Sequence, residues 1–458
     1  MLPLVAATLF LAYSWGRSAS LLYVAAMVGA VTGIAILRQP RLGLLALIVA
    51  ALAAPFPIGT GTEVQLNPAA VLVPLLFGVW LLSAAVQGRL RLPPSPVNLP
   101  LVLFLLAGLL SLGVGLVTWD SLVPRRPSFI VVQLAQWAIF VFSALAFWLM
   151  AVFAQKTRWL QRVTVVFLSM GGGLALLRIF PSLQPIFNQV STGAVDRAPF
   201  WLLLSALAGG QLIFNRQLRR PAQLALAVIL LMAIYYAFFL EREGASTWLG
   251  IAVAGAVLVW LRFPRLRGII MILLILLIVL GVLFPTVYEF AGGDEEWDES
   301  GNSRLVLIGR VMEVAMRNPI TGLGPAAYRP YANMKPLLYG RAFWIAPQIN
   351  SHNNYVDLFA HGGILGLALL TWFGVAYGRL GLHLHRRHPG GFAGGYVAAM
   401  LAAGAGALVI MMLADWLLPF VYNIGFHGFQ ASVLMWLFWG GLVAIDQMDA
   451  CTKPRLGE

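Results

Sequence analysis

Charge is the scarcest property of this chain: Asp, Glu, Lys and Arg make up only 10% of its 458 residues. A soluble domain carries roughly a quarter, so a water-exposed globular protein is excluded. Cysteine is scarcer still, and a lone Cys451 permits no intramolecular disulfide. Strict apolar–polar alternation is missing, which excludes a transmembrane β-barrel. Also lacking are a Gly-rich phosphate loop, an Asp-x-Asp motif and a Ser or Cys triad, so no metal site and no cofactor are expected. Acidic residues number 17 against 30 basic ones. In a soluble protein that excess would suggest nucleic acid. Here the basic residues sit in short segments between apolar runs, so they are read as setting orientation, with membrane lipids as partners and no nucleic acid.

What is abundant is apolar sequence, 60% of the residues, with a mean hydropathy of +0.86. Runs of about 17 to 25 residues recur, each long enough to cross a hydrocarbon core. The reading is an all-α polytopic transmembrane bundle of 12 to 14 spans. The fourteen candidates cover 2–16, 19–37, 41–57, 68–86, 98–117, 129–153, 163–180, 198–214, 221–240, 246–262, 268–290, 355–378, 393–414 and 421–446. No charged segment precedes the first run, so it is read as a retained helix rather than a signal peptide. The expected organisation is eleven spans in 1–290, a large loop at 291–351, and C-terminal spans with a tail in 352–458.

Alternate connections hold clusters such as Lys156/Arg158/Arg162 and Arg262/Arg265/Arg267, eighteen of the thirty basic residues in all. Long loops translocate largely regardless of charge, so both termini are placed in the cytoplasm and the 291–351 loop outside. That loop opens on acids at 294–299. Helical periodicity over 304–317 predicts an amphipathic helix capped by Ser303. Asn318-Pro319 ends it and Gly322-Leu323-Gly324-Pro325 turns. Tyr328, Tyr331, Tyr339, Phe343 and Trp344 are expected against a membrane interface or a sugar.

Chemistry is sought where this loop re-enters a span, at Ser351-His352-Asn353-Asn354-Tyr355. An imidazole titrates near neutral pH and can take a proton from a hydroxyl nucleophile; the alternative is a His that merely caps the span. Arg304, in a first turn where a cation opposes the helix dipole, is a candidate phosphate ligand. Arg310 and Arg317 flank Glu313 as an ion-paired, solvated face. Arg242, in the short Glu241–Gly244 connection, is either an interfacial ion pair or a second anion clamp. Asp415 ends a span, facing a cavity or solvent. His427 is expected to pack against a hydrogen-bonded partner. His361, nine residues after His352, would point the opposite way on a continuous helix. Gly362, Gly363 and Gly366 would let another helix approach.

His352, Asn353, Tyr355, Val356, Gly363 and Gly366, together with Arg304 and Asn318-Pro319-Ile320-Thr321-Gly322-Leu323-Gly324, resemble the O-antigen ligase family. That family also includes O-antigen polymerases and pilin-glycosylating ligases. The likeness covers about 240 to 370. It implies a GT-C-like glycosyltransferase of the bacterial inner membrane, its active site facing the periplasm. Such an enzyme moves a glycan from undecaprenyl diphosphate to a lipid A-core hydroxyl, with inversion and without metal or cofactor. In that scheme His352 is the base, Arg304 and Arg242 hold the diphosphate, and Asn353, Tyr355 and Asp415 support them. Two departures stand out: Arg242 lies about one turn earlier than the family's Ser-Arg, and His361 replaces a common Glu. A polymerase using the same donor, a polytopic lipid or glycan transporter and an envelope scaffold are the alternatives.

Overall fold

The computed structural model describes residues 21–59, 65–269, 271, 272, 275, 302–334 and 351–452, with side chains for all of these except 21–28, 302–304 and 452. Helices α1 Leu21–Arg38, α2 Leu42–Ala53, α3 Pro68–Val86, α4 Asn98–Val117, α5 Phe129–Phe153, α6 Thr157–Ile179, α7 Gln184–Val190 and α8 Ala198–Phe214 form the first half. They are followed by α9 Arg220–Tyr235, which runs into a π-turn at Tyr236–Leu240, and by α10 Ala245–Arg262, α11 Asn302–Ala315 and α12 Tyr328–Met334. The C-terminal part is α13 Asn354–Arg387, α14 Gly391–Leu413 and α15 Gly425–Thr452. One short antiparallel pairing, Ile58–Gly59 with Gln65–Leu66, is the described β-structure.

Among the described residues nine helices are long and apolar enough to cross a membrane, and α2 and α8 are shorter apolar ones. The all-α polytopic reading therefore holds. Twelve of the fourteen expected spans coincide with helices. The span at 2–16, nearly all of 268–290, the 294–299 acids, Tyr339, Phe343 and Trp344 lie outside the described residues.

Composition explains the layering. Helix α15 is apolar on every side, and its 18-residue apolar window is wholly buried, so it forms the axis of the bundle. Its longest contact is with α5; α14 packs against α8 and α10. Small residues permit the second contact: a Cβ on Gly406 would meet the Gly250 carbonyl at 2.6 Å, and one on Gly210 the Gly395 carbonyl at 2.6 Å.

The part of the loop at 302–334 docks on the bundle. Tyr328 and Tyr331 are buried with Trp119, Phe129 and Val311 rather than lying at an interface, because the 118–129 connection folds over them. The helix starts at Asn302, so Ser303 lies inside it and not at its cap. Arg310 corrects the solvated-face expectation: its side chain is 7% exposed and meets Glu313 at 2.6 Å. Arg317 turns instead to Asp120 at 2.8 Å. Together with the Leu122 N–H, that guanidinium holds the Asp120 carboxyl below its usual range.

Helix α13 is broken at Gly363, which has φ 64° and ψ −169°. The 319–324 turn plugs the break. Leu323 and Gly324 N–H donate to the carbonyls of Ala360 (2.9 Å) and His361 (3.3 Å). Ile364 and Leu365 N–H donate to those of Pro319 (2.8 Å) and Ile320 (3.1 Å). Four backbone groups freed by the break are thus satisfied, as a low-dielectric setting demands. Gly363 admits a turn here and not another helix: its Cβ would meet the Ile320 carbonyl oxygen at 2.2 Å.

Candidate functional site

The first turn of α13 is tied on every side. Asn353 caps it, its Oδ1 accepting from Tyr355 N (3.0 Å) and Val356 N (3.3 Å), while its Nδ2 donates to the Met412 carbonyl (2.9 Å). Asn354, fully buried, donates to the Leu418 carbonyl (2.8 Å) and accepts from Leu417 and Leu418 N–H. Tyr355 donates to the Leu408 carbonyl (2.9 Å). Asp357, also fully buried, accepts from Ser351 N (2.7 Å) and Ser351 Oγ (2.6 Å). The polar run before the span is therefore mostly scaffold. Asn353 and Tyr355 position the helix start.

His352 sits between these ties with φ 57°, the one non-glycine residue at positive φ among the described residues. That left-handed backbone costs an L-residue about 1–2 kcal/mol, and such strain concentrates at functional sites. Its ring Nδ1 lies 3.0 Å from Asn423 Nδ2 and 3.9 Å from Asp415 Oδ1. Asn423 Nδ2 also donates to Asp415 Oδ1 at 2.6 Å. Asp415, 2% exposed in its side chain, accepts from Phe420 N at 3.2 Å. It is not solvated. Burial raises its carboxyl to about 7, against the pull of the Phe420 N–H, its own N–H, the Arg197 charge and the Asn423 amide. Arg197 itself lies over the Trp416 ring at 4.7 Å.

The amide between the two groups sets the imidazole tautomer. With Nδ2 facing Nδ1, the ring accepts there and a neutral ring carries its proton on Nε2. Turned over, with heavy atoms almost unmoved, Asn423 presents Oδ1 to an Nδ1–H and leaves Nε2 with a lone pair. The turn brings two oxygens into contact across the 2.6 Å separation. It is stable only while Asp415 keeps a proton, which its raised carboxyl does near neutral pH.

His361 does not join this set. The break in α13 comes two residues after it, and its buried ring donates to the Gly324 carbonyl (3.0 Å) and stacks on Phe420 at 4.9 Å. It fastens the 319–324 turn. His427 is exposed on α15 rather than packed. Arg304 lies in the first turn of α11, its side chain outside the described residues. Arg242 stands exposed in the Glu241–Gly244 turn, its carbonyl accepting from Trp248 Nε1 (2.8 Å). The structure thus joins His352 and Asp415 through Asn423, while Asn353 and Tyr355 hold the adjoining start of α13 and Arg242 takes no part in that network. Among the described residues no group of three or more His, Cys, Asp or Glu is placed to hold a metal.

Sequence reasoning missed Asp357, Asn423 and Arg197. An acid one turn into an apolar span is a visible signal for Asp357. Asn423, 71 residues from His352, carries none.

Beside Tyr355 opens an apolar groove of about 590 Å³, bounded by Leu417, Leu408, Leu367, Tyr377 and Trp260. It runs between α10, α13 and α14 from the His352 end of α13 to Leu382.

The O-antigen ligase family model matches residues 225–371, from α9 to the middle of α13. No curated protein matches the chain. That stretch is therefore similar to the O-antigen ligase family, which supports a ligase- or polymerase-like, glycan-handling role for a multi-pass membrane protein.

Proposed function

We propose that the protein is an O-antigen ligase of GT-C-like type in the bacterial inner membrane. It transfers a glycan from undecaprenyl diphosphate to a lipid A-core hydroxyl on the periplasmic face, without metal and with inversion. One observation carries this reading: a His352 imidazole, strained into place and bridged to a buried carboxyl, lies three residues before Tyr355, which lines an apolar groove. Imidazole supplies a proton acceptor where water enters, and the groove suits a polyprenyl tail that stays among the helices.

The step balances simply. The acceptor oxygen bonds to the anomeric carbon from the face opposite the diphosphate, and its proton passes to His352 Nε2. The bond from that carbon to the diphosphate oxygen breaks, and its electron pair leaves with the diphosphate. Charge grows on the leaving group, where guanidinium groups stabilise it; Arg304 and Arg242 are assigned that role. The base-competent ring requires Asn423 Oδ1 on Nδ1–H, and so a proton on Asp415.

A polymerase would share donor, base and groove and differ in the acceptor. A transporter would use a broken helix to coordinate substrate, whereas here the chain's own 319–324 turn satisfies the break in α13. The test is purified protein with undecaprenyl-diphosphate glycan and either lipid A-core or a second donor molecule. His352→Ala is expected to lower transfer about 10²–10⁴-fold in a protein that still inserts and folds. Wild-type turnover in that variant would end the base assignment, and elongation of the second donor instead of lipid A-core would make the protein a polymerase.

A further inference from the structure

Asp357 is a fully buried carboxyl that the transfer step does not use. Its Oδ1 accepts from Ser351 N (2.7 Å) and Ser351 Oγ (2.6 Å), while its Oδ2 is buried with no hydrogen-bond partner among the described residues. A buried oxygen left unpaired is costly, so stability alone does not account for an acid at this position. Helix capping does not account for it either. Asn353 already caps α13 through Tyr355 N and Val356 N, and a capping box would return a side chain to the cap residue itself. Asp357 reaches past the cap, to the residue ahead of His352.

The bonds close around His352. Ser351, gripped by Asp357, accepts the Asn353 N–H at its Oγ (3.2 Å). Asn353 in turn accepts the Asp357 N–H at its carbonyl (2.9 Å). The residues before and after His352 are thus fixed to one another and to the first turn of α13, and His352 between them takes the left-handed φ of 57°. Released, an L-residue there gains by relaxing to negative φ, and the imidazole swings with its backbone. Other ties fix what the ring faces. Asn353 Nδ2 donates to the Met412 carbonyl and Asn354 Nδ2 to the Leu418 carbonyl. Those bonds hold the start of α13 against the segment carrying Asp415, which Asn423 joins to the ring.

We infer that Asp357 is a positioning residue for the transfer reaction: through Ser351 it holds His352 in its strained backbone and so keeps the imidazole on Asn423. The proton passes to His352, and Asp357 acts only by fixing where that ring stands. The inference rests on the glycan-transfer reading for its effect on rate, though not for its effect on the ring.

The experiment uses full-length protein in detergent and two readouts. In kinetics with undecaprenyl-diphosphate glycan and lipid A-core, Asp357→Ala is expected to lower kcat about 10²-fold, as an ångström-scale misplacement does, with both KM values kept. Asp357→Asn, which still offers one oxygen to both Ser351 donors, is expected to recover most of that rate. Ser351→Ala leaves only the backbone bond and should fall between them. Ser351→Ala/Asp357→Ala should be no slower than Asp357→Ala alone, because both changes act through one contact. A raised KM with kcat kept, or an Asn variant as slow as the Ala variant, overturns the positioning role. The second readout is the ¹⁵N spectrum of histidine-labelled protein, with the His352 signals assigned by their loss in His352→Ala. Nδ1 should show the shift of a hydrogen-bonded nitrogen in the wild type and in Asp357→Asn, and move to that of a water-exposed imidazole in Asp357→Ala. An unmoved signal in that variant overturns the inference. Should Asp357→Ala fail to fold, Ser351→Ala decides both readouts on the same terms. If the signal moves as expected while the wild-type protein transfers no glycan, the hold on His352 stands and the glycan reading falls.

Discussion

His352 pays a backbone penalty to hold its ring where it is, and that penalty can be measured apart from its chemistry. Glycine adopts the φ of 57° freely, whereas alanine keeps the strain and loses the ring contacts. His352→Gly is therefore expected to melt higher than His352→Ala, by about 1 kcal/mol in stability, while both lose transfer. Equal melting would mean the left-handed backbone is not strained. Asp415 provides a pH test. Its folded carboxyl keeps a proton up to about 7, against 3.8 for an ordinary Asp. The folded state therefore holds more protons than the unfolded one over that window, and stability falls as pH rises from about 4 to about 7, then levels. Asp415→Asn removes the slope. Because its amide can donate to Asn423 Oδ1 at any pH, it should also flatten the decline in transfer expected above about pH 7. If transfer instead rises through 7 and Asp415→Asn abolishes it, an ionised carboxylate supports the imidazolium. The Phe420 N–H, Arg197 and Asn423 are the neighbours whose dipole or charge tempers this rise.

Among the elements, the broken α13 and the turn that fills it act as one unit. The Asn318–Gly324 turn and the glycines after His352 look like separate motifs in the sequence, yet they exchange four backbone hydrogen bonds. Ser111 Oγ donates to the His361 carbonyl and so fastens α4 to the same joint. A Cβ at Gly363 would strike the Ile320 carbonyl and would also sit at φ 64°. Gly363→Ala is expected to lower stability by about 2 kcal/mol or more through the clash and the left-handed φ. Transfer should fall with it, since the joint sits about three turns from His352. Gly78→Ala, inside α3 with open space around its Cβ, is the contrast. There the loss of glycine's backbone freedom predicts a gain of about 0.5–1 kcal/mol. Thermal melts of the two variants, read beside transfer rates, separate the joint from helix propensity. If Gly363→Ala melts and transfers like the wild type, the turn is not held as described.

Across the whole molecule, the polar network at one end and the apolar groove along the helices divide a lipid-linked substrate between them. Gly378 lines the groove on the flank of α13, with open space at its Cβ. Gly378→Trp should fill that part of the groove and raise the KM for a long polyprenyl donor several-fold. A donor with a short prenyl chain should be unaffected. Equal KM for long and short donors would remove the groove from the reading.

Hydropathy alone determined that this is a helical membrane protein, because the cost of leaving peptide groups unpaired in hydrocarbon turns every long apolar run into a helix. Local pattern likewise marked His352 and the turn at 318–324, since turns are made by residues close in the chain. It did not reveal that Arg310 is buried, that α13 breaks at Gly363, or that Asn423 and Asp415 meet His352. Those facts follow from which helices pack together, and only tertiary contacts bring Asn423 across 71 residues to an imidazole. A polar side chain in an apolar chain must find a partner. The sequence announces that need, but folding alone chooses the partner.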